Sequence, residues 1–336
     1  MSTFTILSID GGGLRGVVPI RILQEIETLT GKTIQDNFDL FAGSSTGGLI
    51  ACLLSVKEES VILKPKYSLR DVADMYATKG DTIFPVRSGF CKLLHRIQSL
   101  FMPAYSASGL DLVLKQFIAD QTITDVIRPL LIASYDVNNN QPVFFKTSEA
   151  AGNPMANARL YDVCRATSAA PTFLPAHSFI YKNKWMTGID GGVFVNNPSM
   201  AALAEISKYG NSGFYKTRES KPVQLPDVRI LSLGTGSYEG TISNQQAAGW
   251  GQLQWITRIT DIMMKGVNQT THYETGEMMT PGHYLRLNIT LPDKKYTAMD
   301  DASPETQAYL LAETERQIIQ NNRVMQDLRD FLGKIS

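Results

Sequence analysis

The sequence predicts an α/β protein built on a mostly parallel central sheet, and one local pattern that occurs twice carries that prediction. Residues 5–9 (TILSI) read as a short buried strand. They lead into the glycine loop DGGGLRG at 10–16, and then Val18, Ile22, Leu23 and Ile26 recur at helical spacing. Residues 38–42 (FDLFA) read as a second strand, broken at Gly43-Ser44-Ser45-Thr46-Gly47 and continued by a small-residue helix over 48–56. Strand, glycine loop and helix, in that order and twice, mark parallel strands joined by crossover helices.

The rest of the chain fits the same plan. Strands are expected at 130–135 (LLIASY), 143–146, 185–189, 228–233 (VRILSL) and 284–289. Helices are expected at 159–168, 198–209, 250–279 and 304–332, with a proline-bearing loop at 169–176. Residues 57–128 read as a less regular insertion, a candidate lid or membrane-facing cap, and the tail from about 300 reads as helical. No composition break marks a linker and no repeat recurs, so 1–336 is expected to form one catalytic domain.

Composition narrows the function classes. The 336 residues carry 32 basic and 32 acidic side chains, so no basic footprint for nucleic acid is expected. Three scattered cysteines, Cys52, Cys91 and Cys164, form no CxxC pair and fit a reducing, cytoplasmic setting. The start lacks the basic region of a secretory leader, and no run of about 18 apolar residues predicts a spanning helix. Action on a membrane is therefore expected from its surface.

Two glycine-bracketed motifs carry chemistry. Gly43-x-Ser45-x-Gly47 fits a nucleophile elbow, in which a tight strand-to-helix turn exposes the serine hydroxyl and glycines permit the strained backbone. Standing alone, it also fits a small-residue turn without catalysis. The helix after it directs its positive end at the site, which favours a developing oxyanion. The loop Gly11-Gly12-Gly13-Leu14-Arg15-Gly16 matches the dinucleotide fingerprint G-x-G-x-x-G in spacing and context, so a dinucleotide-binding module is one reading. That fingerprint wants an acid at the end of the second strand, where this sequence has the serine elbow. A P-loop is excluded because Gly16 is followed by Val17-Val18 and not by Lys-Ser/Thr. The other use of the loop is an oxyanion hole, its amides converging on a carbonyl oxygen with Arg15 adding positive potential.

A nucleophilic serine needs a base. His272 or His283 would complete the order serine, acid, histidine, but neither sits in a strand-end glycine loop, and His95 and His177 precede Asp190. Asp190-Gly191-Gly192 is a carboxylate at a strand end, flanked by glycines that allow another loop to approach. Burial would raise its pKa and make it a better general base.

Taken in order, Asp10-Gly-Gly-Gly-Leu-Arg-Gly16, Gly43-Ser-Ser-Thr-Gly47, Ala166-Thr-Ser-Ala-Ala-Pro171, Asp190-Gly-Gly192 and Asn196-Asn197-Pro198 resemble the motif set of patatin-like phospholipases, over roughly residues 5–235. The resemblance implies a three-layer α/β/α fold and a Ser45–Asp190 dyad without histidine. It also implies an oxyanion hole from Gly11, Gly12 and Gly13, supported by Arg15, and no metal or other cofactor. The implied reaction is hydrolysis of fatty acyl esters in phospholipids or galactolipids through an acyl-serine intermediate. A second form of the same reading is a lipase effector switched on by a partner or a nucleotide signal.

The partner expected is the membrane lipid itself. Residues 90–102 (FCKLLHRIQSLFM) place Phe90, Leu93, Leu94, Ile97, Leu100 and Phe101 on one helical face, with Lys92, His95 and Arg96 off it. That pattern fits an interfacial helix and also a core-packed helix with a basic outer face.

Overall fold

The computed structural model describes residues 3–58, 64–85, 103–118 and 120–333. The amphipathic stretch 90–102, with Cys91 and His95, lies outside them. Ten strands are described: β1 (Phe4–Ile9), β2 (Leu40–Ser44), β3 (Leu130–Asp136), β4 (Gln141–Lys146), β5 (His177–Tyr181), β6 (Lys184–Asp190), β7 (Val228–Leu233), β8 (Ser237–Tyr238), β9 (Tyr284–Leu287) and β10 (Thr290–Leu291). The main helices are α1 (Val17–Thr30), α2 (Thr46–Ser55), α3 (Leu69–Ile83), α4 (Ser108–Phe117), α5 (Leu160–Thr167), α6 (Ser199–Tyr209), α7 (Gln252–Met278), α8 (Pro304–Thr314) and α9 (Asn322–Gly333).

The expected α/β architecture is present. The main sheet runs β5-β6-β3-β2-β1-β7-β9, with β4 added against β3, while β8 and β10 pair separately. Pairings β3-β2, β2-β1, β1-β7 and β7-β9 are parallel, and β4, β6 and β5 are antiparallel additions.

Strand β1 is buried along its length, as a central parallel strand covered on both faces should be. Leu7 and Ile9 pack into a large cluster with α1 to α5, α8 and α9. Phe4 and Ile6 point to the other face and pack with Ala202, Leu203 and Ile206 of α6, on which α7 rests. The sheet is thus the middle of three layers. Among the described residues, the stretch read in the sequence as an irregular insertion contains two helices. One of them, α3, opens with a capping box between Ser68 and Asp71. The expected C-terminal helix is interrupted by a π turn over Glu315–Ile319, and Asn321 Oδ1 then accepts the amides of Arg323 and Val324 to start α9.

The parallel strands end together at one edge. Asp10 follows β1, Ser45 follows β2 and Thr235 lies just past β7, so the two glycine loops meet where the chain departs from β1 in both directions. No described helix is long and apolar enough to cross a membrane.

Candidate active site

Ser45 sits between β2 and α2 with φ 52° and ψ −124°, a conformation unusual for any residue with a Cβ. The flanking glycines make it feasible: a Cβ at Gly43 would run into the backbone of Gly47, and one at Gly47 into the carbonyl of Ile9. The turn is held by a residue to which the sequence analysis gave no role. The Ser45 amide donates to Thr167 Oγ1 (2.9 Å), and that hydroxyl donates to the Ala133 carbonyl on β3 (2.6 Å). Thr167 lies in the Ala166–Pro171 motif, so the signal was present but its role was not readable. Ser44, in contrast, points into the interior, fully buried.

Asp190 reaches the same place from the antiparallel side. Its strand pairs Asp190 with Ser134, one residue beyond the Ser44–Ala133 pair, which brings the carboxylate level with Ser45. Gly191 is obligatory for this approach, since a Cβ there would collide with the Ala133 backbone. The carboxylate accepts the Gly192 amide through Oδ1 (2.7 Å). Burial raises its pKa to about 6, against the opposing pull of the Ser45 hydroxyl and the Gly192 amide.

Ser45 and Asp190 line one cavity of about 590 Å³ together with Gly12 and Gly13. Its remaining wall is largely apolar, including Leu49, Met75, Ile83, Leu110 and Phe173, so the insertion helices α3 and α4 supply much of it. Such a cavity suits an acyl chain.

The glycine loop divides its amides. Gly11 N–H donates to the Asn196 carbonyl (3.2 Å), which corrects the expectation that all three amides face an oxyanion. Gly12 and Gly13 N–H make no hydrogen bond among the described residues. The loop is braced from several sides: Thr235 Oγ1 donates to Gly11 O (2.7 Å), and Leu14 N–H donates to Met299 O (2.8 Å). Gly13 has φ +58°, and a Cβ on it would meet the Met299 carbonyl. Arg15 does not line the Ser45 cavity. Its guanidinium donates to the carbonyls of Gly12 (3.4 Å) and Gly236 (3.3 Å), so it supports the loop from behind. Asp10, first residue of the motif, is buried against Arg286 of β9 (2.6 Å).

The described histidines lie elsewhere, and none lines the Ser45 cavity. His177 pairs with Asp162 (2.8 Å), His272 contacts the Tyr284 hydroxyl (3.1 Å), and His283 bonds the Val228 carbonyl (3.1 Å). No group of three or more metal-ligating side chains occurs among the described residues.

The patatin-like phospholipase family model matches residues 7–203, the segment that holds the glycine loop, the elbow and Asp190. The chain belongs to the patatin-like phospholipase family. It is 30% identical to patatin-like protein 1 of Arabidopsis thaliana, across 97% of this chain and 83% of that one. It is 32% identical to patatin-like protein 1 of Oryza sativa subsp. indica, across 94% and 81%. Patatin-2-Kuras 3 of Solanum tuberosum is 30% identical, across 93% and 83%. Among solved structures, VipD from Legionella pneumophila aligns with 99% of this chain and 67% of its own at 11% identity, with a TM-score of 0.45. Human GIVD cytosolic phospholipase A2 aligns with 99% and 60% at 12% identity, with a TM-score of 0.46. Membership in the patatin-like phospholipase family makes lipid acyl hydrolysis the activity class of this chain.

Proposed function

We propose that this patatin-like protein hydrolyses fatty acyl esters of membrane lipids through a Ser45–Asp190 dyad and an acyl-serine intermediate. One observation carries the reading: a strained serine and a buried carboxylate with its pKa raised to about 6 face one largely apolar cavity, beside two unbonded glycine amides. Asp190 takes the Ser45 proton as Oγ attacks the ester carbonyl. The carbonyl oxygen gains negative charge and is received by the Gly12 and Gly13 amides. The tetrahedral species collapses, the lysolipid alkoxide leaves with the proton held by Asp190, and the acyl group stays on Ser45. Water then gives a proton to Asp190 and attacks the acyl-serine, and fatty acid departs as Ser45 recovers its proton. A base of pKa near 6 is ionised at neutral pH and still accepts a proton more readily than an exposed carboxylate.

The substrate is drawn from a bilayer surface, and the β5–β6 hairpin is the proposed contact. Five residue steps of β6 separate Trp185 from Asp190, so the hairpin tip overhangs the Ser45 edge of the sheet by roughly 15 Å at the usual strand rise. There Ile180 and Trp185 stand directly opposite each other on the outer face, each 64% exposed. Lys184 beside them is exposed and makes no ion pair among the described residues, which suits an anionic lipid surface. The reading is tested by assaying purified wild type and Ser45→Ala on vesicles, with released fatty acid as the readout; release by wild type alone supports it, and equal release by both removes it.

A further inference from the structure

A second cavity, of about 430 Å³, adjoins the one that holds Ser45, and Asn196, Met264 and Met299 line both. The two differ in character. The Ser45 cavity is mainly apolar, whereas this one is lined by Arg15, Lys265 and Lys294. Among its described lining residues the single carboxylate, Asp10, is neutralised by Arg286 through bonds of 2.6 and 3.2 Å. Three cations therefore face a space where the local negative charge is already matched, a setting that favours an anion. Lys265 Nζ donates to the Tyr238 carbonyl and keeps further N–H groups, and Lys294 is exposed at the mouth with no ion pair among the described residues. In the same wall Asn268 Oδ1 is buried without a hydrogen-bond partner. A buried acceptor left unpaired costs free energy that a ligand hydroxyl would relieve.

We propose that this cavity is a headgroup subsite for lipids whose phosphate carries an uncharged, hydroxylated headgroup, the chemistry of phosphatidylglycerol. Lys265 and Lys294 take the phosphate, and Asn268 accepts from a headgroup hydroxyl. A choline group offers no donor to Asn268, and its positive charge meets the cations. Shared walls at Asn196, Met264 and Met299 set the phosphate beside the acyl ester presented to Ser45. These lysines and Asn268 lie C-terminal to residues 7–203, the segment matched by the family model. The inference rests on the hydrolase reading above.

The test uses dihexanoyl phosphatidylglycerol and dihexanoyl phosphatidylcholine as dissolved monomers, which removes attraction to a charged interface. The readout is the ratio of their kcat/KM values, for wild type and for Lys265→Gln, Lys294→Gln, the double variant and Asn268→Ala, each with a melting curve. Wild type is expected to favour the glycerol lipid by about tenfold or more, because the choline cation is repelled by the two lysines and offers no donor to Asn268. The double variant is expected to lower the ratio to the few-fold that Asn268 supplies, and Asn268→Ala to lower it by several-fold with the lysines in place. Should Lys265→Gln fail to fold, Lys294→Gln, at the exposed start of a short 3-10 turn, carries the same reading. Unchanged ratios in folded variants overturn the subsite while leaving the hydrolase intact. Inhibition by inorganic phosphate that the double variant relieves, with no lipid preference in wild type, overturns it in favour of a free-anion site. Absence of Ser45-dependent hydrolysis of either lipid removes both the subsite and the reading beneath it.

Discussion

Thr167 holds the Ser45 amide at 2.9 Å while giving its own proton to the Ala133 carbonyl at 2.6 Å. One buried hydroxyl therefore ties the elbow to the neighbouring strand and fixes a positive-φ serine that would otherwise relax. Thr167→Val removes both bonds at nearly constant volume and strands the Ser45 amide. The expected cost is about 1–3 kcal/mol in stability, read by denaturant unfolding, together with a fall in kcat of tenfold or more. Thr167→Ser should keep most of both. A Thr167→Val protein with wild-type kcat would separate the clamp from catalysis.

The pH profile follows from Asp190. Its pKa is raised to about 6 by burial, and the base works only when ionised, so kcat/KM should fall below pH 6 with unit slope and level off above about 7. An acid limb centred near 4 would mean that an exposed carboxylate is the base.

Stability has the opposite sign at this residue. Asp190 rises from 3.8 in the unfolded chain to about 6 when folded, so the folded protein binds the extra proton. Its ionised form therefore costs stability above pH 6, by roughly 3 kcal/mol at 1.36 kcal/mol per unit, and the cost disappears below about pH 4. Asp190→Asn should be inactive yet melt higher than wild type at pH 8, with the gap closing as pH falls to 4. The same melting temperature at pH 8 would contradict a strained base.

Gly12 is packed so that a Cβ would strike the Thr235 side chain. Gly12→Ala should displace its amide and lower kcat by about 10²–10³ with little change in KM, the usual cost of one lost oxyanion donor. A change confined to KM would place Gly12 in ground-state binding instead.

At the hairpin, Ile180→Ser with Trp185→Ser should weaken vesicle binding in sedimentation assays. The loss should be well over tenfold, since burying each large apolar side chain is worth about 1.5–3 kcal/mol. Hydrolysis of a dissolved short-chain ester should persist. Parallel loss of both, with a lowered melting point, would mark these side chains as structural.

Much of this was legible because the chemistry sits on short glycine loops after strands, where spacing alone implies geometry. The elbow at Ser45, the carboxylate at Asp190 and the parallel strands around β1 all follow from such local patterns. What stayed hidden depends on contacts between distant segments. The use of Gly11 N–H depends on the Asn196 carbonyl, 185 residues away, and the direction of Arg15 on Gly236. Strand β5 escaped notice because its turn uses Lys182 and Asn183 at φ 50° and 60° in place of a glycine pair. The division of 57–128 into helices rests on an apolar face that is clear only once α3 and α4 are seen to wall the Ser45 cavity.

The central claim is that Ser45 is the nucleophile. Its most direct test is to react the protein with a fluorophosphonate and locate the adduct by peptide mass spectrometry. The account predicts one adduct, on Ser45, that disappears in Ser45→Ala, survives in Ser44→Ala and forms much more slowly in Asp190→Asn. An adduct on any other residue, or undiminished labelling of folded Ser45→Ala, would contradict it.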